Sequence, residues 1–201
     1  ALVTITGKGS YTGFAFTSFI IEGDEPDEPA VEKGRTYTVG NLKYKVTSVK
    51  TNGSGTVTVA GVKTKGITSA TIGKTVKING SSLKTTAIAS QAFKGCTKLK
   101  TVKINANVTQ IGKDAFKGDK KLQKVTISST ALKSIGSQAF YGCSKLTSIT
   151  LKTSRLNSVG KNAVKGIGKK AVIKVPSKKV KAYKKLFSKK TGFRSPMKVK
   201  K

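Results

Sequence analysis

The chain has no histidine and no tryptophan, and it holds only 8 acidic residues in 201. Without histidine, general acid–base chemistry would fall to a carboxylate pair or a tuned lysine. A zinc site would lack its usual nitrogen ligand. The acids are also badly spread. Glu22, Asp24, Glu25, Asp27, Glu28 and Glu32 crowd one stretch, and only Asp114 and Asp119 serve the rest. No run reaches the roughly 18 apolar residues of a membrane-spanning helix. No basic start leads into an apolar run, so no signal peptide is visible, and the strand-like opening at Ala1-Leu2-Val3-Thr4-Ile5 reads as a cut from a longer protein. Gly53-Ser54-Gly55 lacks the Lys-Ser/Thr pair of a phosphate-binding loop.

Lysine is what the chain has in excess. Lys and Arg number 40, the net charge is +32, and every base except Lys8 lies in residues 33–201. Such a charge bears on solubility and partners rather than on fold. The apolar fraction is only 36%, which calls for a thin, regular core.

Regularity is present as an internal repeat. Ala92-Phe93-Lys94-Gly95-Cys96 aligns with Ala115-Phe116-Lys117-Gly118-Asp119, Ala139-Phe140-Tyr141-Gly142-Cys143 and Ala163-Val164-Lys165-Gly166-Ile167. Leu99, Leu122 and Leu146 follow, though the fourth unit has Lys170 in that place. Then come Val102, Val125, Ile149 and Ile173, and two residues later Ile104, Ile127, Leu151 and Val175. Ile88, Ile111, Ile135 and Val159 precede each Ala by four. The two-residue alternation marks a short strand with one buried face. Gly112, Gly136 and Gly160 suit a tight turn or a close backbone approach. One unit cannot bury such side chains alone, but stacked units form a continuous core.

The pattern Ile-Gly-x-x-Ala-Phe-x-Gly-Cys-x-x-Leu-x-x-Val-x-Ile resembles the Treponema-type, BspA-like leucine-rich repeats of bacterial surface proteins. It covers residues 83–175 and departs from the family at Asp119, where Cys or Asn is usual, and in the fourth unit. The resemblance implies a β-dominated α/β leucine-rich repeat solenoid, a short right-handed array of about four rungs. It also implies an extracellular or cell-surface location, with signal and anchor upstream, and a non-enzymatic role in adhesion.

The flanks are expected to cap that array. Residues 33–82 alternate apolar and polar at 35–39, 42–47, 56–59 and 71–78, which predicts a strand-rich N-terminal cap. Residues 176–190 predict one helix, with Val180, Tyr183, Leu186 and Phe187 as its apolar stripe. Proteins of the family it resembles also close with a Lys-rich helix and a short strand, which the resemblance implies at Met197-Lys198-Val199-Lys200, so 176–201 are expected to form the C-terminal cap. Residues 1–22 resemble the closing strands of a bacterial immunoglobulin-like module, and 23–32 read as an acidic linker. A monomer is expected unless those N-terminal strands pair between chains.

No residue stands out as a catalyst. Asp114 shares its slot with Gln91, Gln138 and Asn162, a polar turn position. Asp119 fills a cysteine slot and is expected to bond turn amides. Cys96 and Cys143 share that slot two rungs apart. Rungs stack at about 4.8 Å, so the pair would sit about 9–10 Å apart, beyond the reach of a disulfide. Two free, buried thiols are expected, with no metal and no cofactor.

The lysines carry the functional expectation. Stacking places Lys94, Lys117 and Lys165 in one row with Tyr141, and Lys98, Lys121 and Lys145 in another, while Lys113 and Lys161 share a third slot. Strand alternation points Lys103 and Lys174 outward with Thr126 and Thr150, flanked by Lys124 and Lys152. Such rows suit a host or matrix protein, an anionic glycan, or the bacterium's own anionic cell wall. The last belongs to an alternative reading, a structural spacer or wall-associating domain. Nucleic acid fits least, because arginine, the usual reader of phosphate and base edges, occurs only at Arg35, Arg155 and Arg194.

Overall fold

The computed structural model describes residues 30–105 and 107–201. The expected immunoglobulin-like strands over 1–22 and most of the acidic linker lie outside the described residues. In chain order come β1 (Thr36–Val39), β2 (Leu42–Val49), β3 (Gly55–Val62), β4 (Ser69–Ile72), β5 (Thr75–Ile78) and β6 (Ser81–Ile88). Long and short strands then alternate: β7 (Thr101–Ile104), β8 (Gln110–Ile111), β9 (Lys124–Ile127), β10 (Ser134–Ile135), β11 (Ser148–Leu151), β12 (Ser158–Val159) and β13 (Val172–Lys174). The helix α1 (Val180–Leu186) and the strand β14 (Lys198–Lys200) follow.

The long strands form one parallel sheet in the order β4-β7-β9-β11-β13-β14. A second sheet runs β1-β2-β3-β6-β8-β10-β12. Along that order it is antiparallel through β3, as hairpins require, and parallel from β3 onward, with β5 pairing antiparallel to β6 at its side. Each rung thus passes from a long strand to a short one and returns through a turn. This is the expected repeat solenoid, and the parallel sheet extends one strand beyond residues 83–175 on each side. The expected single strand over 71–78 is instead β4 and β5, which belong to different sheets. Gly73 lies between them, where the chain turns so tightly that an added methyl would sit 3.0 Å from the Thr75 carbonyl oxygen.

A third ladder joins the turns. The amides of Phe93, Phe116 and Phe140 each donate to the next rung, at Ala115, Ala139 and Ala163, all at 2.8 Å. The ladder therefore runs one way, with amides facing the following rung and carbonyls the preceding one. Each end is closed by different chemistry. At the first turn the Lys65 ammonium donates to the Lys94 carbonyl at 2.8 Å. At the last, Asn162 and Val164 donate to Lys190 and Thr191.

One apolar core runs the length of the array. Phe93, Phe116 and Phe140 stack with ring centroids 4.8 and 5.3 Å apart and nearly parallel planes. A further buried row, Val108, Leu132 and Leu156, lies in the loops between long and short strands, where no alternation marks it. In the fourth unit Ala171 is buried where Lys170 breaks the leucine row. Gly112, Gly136 and Gly160 answer to close approach: a methyl at Gly136 would lie 2.6 Å from the Lys113 nitrogen of the rung below.

The C-terminal helix is shorter than its apolar stripe predicts. Ser177–Lys179 form a 3₁₀ turn, α1 spans Val180–Leu186, and the backbone leaves helical geometry at Phe187. No acid sits in the first turn of α1, and lysines there oppose the helix dipole. Ser188 then opens a capping box over a second 3₁₀ turn, Lys189–Thr191. Tyr183 and Phe187 are buried as expected. Tyr183 also extends a polar series. Ser129 and Thr153 bond carbonyls of the preceding rung, and the Tyr183 hydroxyl donates to the Thr153 carbonyl while accepting from the Leu156 amide, both at 3.0 Å.

Candidate binding surface

The candidate residues fall on two parts of each rung. Lys94, Lys98, Lys117, Lys121, Tyr141, Lys145 and Lys165 lie in the turns that enter the long strands. Lys103, Lys124 and Lys174 lie on the outward face of those strands, and Lys152 follows β11 at once. The turn lysines are held in register by the one-way ladder, because each turn is bonded to the next through its backbone. Gln91, Asp114, Gln138 and Asn162 make this turn possible by taking left-handed conformations, with φ between 55° and 61°. Asn and Asp adopt this conformation more readily than most residues, which suits Asp114 and Asn162, while Gln91 and Gln138 hold it with longer side chains.

Strand register settles what the sheet face presents. One outward row reads Thr71, Lys103, Thr126, Thr150, Lys174 and Lys200; the other reads Ser69, Thr101, Lys124, Ser148, Val172 and Lys198. Lysine is thus interrupted by hydroxyls there and gathers toward β13 and β14. The turns are different. Lys98, Lys121 and Lys145 are exposed and continuous, and Lys169 extends their row into the fourth unit. The 24-residue step from Lys145 reveals Lys169 in the sequence, yet it lies outside the expected set.

Lys117 is the exception among the turn lysines. It pairs with Asp114 at 3.4 Å, donates to Gln138 Oε1 at 2.6 Å and lies 5.4 Å from the Tyr141 ring centre. Its charge therefore serves the protein's own turn and holds the Tyr141 ring. Among the described residues no other lysine makes an ion pair.

The slot beneath these turns holds Cys96, Asp119 and Cys143, all fully buried. Both thiols are free. Asp119 Oδ1 accepts the Cys96 amide at 2.8 Å, while Oδ2 has no hydrogen-bond partner among the described residues. Burial pushes this carboxyl up to about 8, against the opposing pull of the Cys96 and Gly95 amides and of Lys65. It is therefore mostly protonated near neutrality. Burial, and then the neighbouring Asp119, push the Cys96 thiol up to about 11 and raise Cys143 as well. Cys143 donates to the Phe116 carbonyl at 3.0 Å. The slot is structural in its contacts, and among the described residues no group of His, Cys, Asp or Glu is placed to hold a metal ion. Among those residues no helix is long and apolar enough to cross a membrane.

At the C-terminal end of the turn rows lies a cavity of about 610 Å³. Tyr141, Lys165, Ile167, Lys169, Arg194 and Met197 contribute to its wall. Arg194 comes from a loop beyond the repeats, so periodicity gives no sign of it.

Residues 66–194 match the model of the BspA type leucine-rich repeat region, in six copies. A leucine-rich repeat protein from Bacteroides ovatus is similar in structure, with a TM-score of 0.58 and 30% identity, covering 70% of this chain and 35% of its own. A leucine-rich cell surface protein from Faecalibacterium prausnitzii gives a TM-score of 0.56 at 24% identity, covering 72% of this chain and 38% of its own. A leucine-rich repeat protein from Bacteroides capillosus gives 0.52 at 28% identity, covering 62% and 86%. The chain thus spans well under half the length of the first two. No curated protein matches it significantly.

Proposed function

The chain belongs to the BspA-type leucine-rich repeat family, and from that premise we propose a non-enzymatic, adhesion-type binding module at the bacterial surface or exterior that holds anionic ligands on its turns. The observation that carries this reading is the row Lys98, Lys121, Lys145 and Lys169. It is exposed, in register and free of acidic partners among the described residues. Like charges stacked at about 4.8 Å repel one another, and an anion laid along them relieves that repulsion. A surface location accords with the family and with the cell surface protein from Faecalibacterium prausnitzii. The sparse arginine favours acidic proteins or glycans over nucleic acid.

The test is an array of anionic glycans and acidic matrix proteins, probed at low and at physiological ionic strength. Binding that weakens with salt, and weakens again in a Lys98→Gln/Lys121→Gln/Lys145→Gln variant, is expected. Screening over about 8–10 Å sets the salt dependence. Indifference to both salt and these substitutions refutes the reading.

A further inference from the structure

The cavity at the end of the turn rows is small-molecule sized. Its volume of about 610 Å³ falls within the roughly 300–1,000 Å³ of ordinary ligand sites. Lys165, Lys169 and Arg194 reach it, all three exposed, and among the described residues none makes an ion pair or a side-chain hydrogen bond. No acid contributes to the wall. The wall also holds the apolar Ile167, Pro196 and Met197, of which Ile167 and Met197 are largely buried. The Tyr141 ring borders it and is held by Lys117.

We infer that this cavity is the end site for a carboxylate-bearing sugar, with the rest of an acidic oligosaccharide lying along Lys145, Lys121 and Lys98. The inference rests on the polyanion reading above and names its ligand class. A bare inorganic anion would satisfy the cations and leave the apolar wall uncovered. A pyranose carries both parts: a C–H face for Tyr141, Met197 and Ile167, and a carboxylate. That carboxylate is planar and matches the guanidinium fork of Arg194. Ser144 and Ser195 also line the wall and suit the sugar hydroxyls.

The row beyond the cavity separates a glycan from an acidic peptide. Successive turns step by about 4.8 Å, whereas side chains on one side of an extended peptide repeat at about 6.6 Å. A chain of pyranose acids carries one carboxylate per ring, and its glycosidic torsions let successive rings turn their carboxylates toward the lysines. An extended peptide instead holds alternate side chains on opposite faces. A peptide of alternating acids falls out of register within a few rungs.

The experiment is calorimetric titration of the full chain at low ionic strength. The probes are a galacturonate trisaccharide, the neutral galactose trisaccharide, triglutamate and long polygalacturonate. Arg194→Lys keeps the charge and loses the fork, and Lys169→Gln removes one cation; both positions are exposed. The galacturonate trisaccharide is expected to bind, with the neutral sugar and triglutamate weaker. Arg194→Lys should weaken it about tenfold, the loss of one charge-assisted bond, and Lys169→Gln should weaken it too. Lys98→Gln should weaken only the polymer. Triglutamate equal to the trisaccharide, or trisaccharide binding indifferent to both cavity variants, overturns the inference. Polymer binding without trisaccharide binding also overturns it and leaves the broader function standing. Absence of polymer binding as well overturns this inference and the glycan form of the broader function, whose acidic-protein form the array tests separately.

Discussion

Replacing Asp119 with asparagine isolates the energetic cost of one buried carboxyl. Asn keeps an oxygen for the Cys96 amide, now 2.8 Å from Oδ1, and cannot ionise. The wild-type carboxyl sits at about 8 in the native state against an ordinary 3.8. The shift is upward, so the native state holds its proton longer than the unfolded chain does. Its stabilising proton linkage is fully present below about pH 3.8 and is lost as the pH rises, until the native group ionises near 8. At about 1.4 kcal/mol per pK unit, the wild type loses about 4 kcal/mol relative to Asp119→Asn between about pH 5 and pH 8.5. Titrations common to both proteins cancel in the difference. For a chain of this size that is a divergence in Tm of about 10 °C. Urea or thermal unfolding at several pH values reads it directly. Parallel stability curves for the two proteins across that range would falsify the account of Asp119.

Other perturbations test the packing. Tyr183→Phe removes the hydroxyl that serves Thr153 and Leu156. It should cost about 2–3 kcal/mol and speed hydrogen exchange at the Leu156 amide; unchanged exchange there would contradict the geometry. Gly136→Ala puts a methyl 2.6 Å from the Lys113 nitrogen and should cost about 3 kcal/mol or more, since backbone there cannot yield. Gly95→Ala meets open space at φ 77° and should cost only about 1–2 kcal/mol. Equal effects at the two glycines would show that close approach is not what Gly136 serves. Cys96 and Cys143 should resist an aromatic disulfide reagent in the native protein near pH 8 and both react once unfolded, because they are buried and their thiols are raised. Rapid native labelling would refute this.

Periodicity governed what the sequence disclosed. The Phe93, Phe116 and Phe140 stack, the strand rows and the turn lysines were legible because each recurs every 23 or 24 residues with one physical role. Val108, Leu132 and Leu156 keep the same step but stand among loop residues with no alternation to mark them. The C-terminal helix is shorter than its apolar stripe suggests, since Lys179 and Lys181 at its start oppose the dipole and the backbone leaves helical geometry at Phe187. The left-handed turns were hidden behind Gln91 and Gln138, residues that do not advertise positive φ. Arg194 and the cavity depend on a loop returning to the last rung, a contact made by closure of the fold rather than by any local pattern.

The one-way turn ladder makes the two ends of the array unlike: bare, one would present carbonyls and the other amides. Two such molecules would fit head to tail without limit, as filaments do. The Lys65 ammonium and the carbonyls of Lys190 and Thr191 occupy those ends. They recognise the kind of end and take no account of how many rungs lie between. Array length is therefore free to vary by whole repeats, and a duplicated 24-residue unit would lengthen the molecule by about 4.8 Å without opening it to polymerisation.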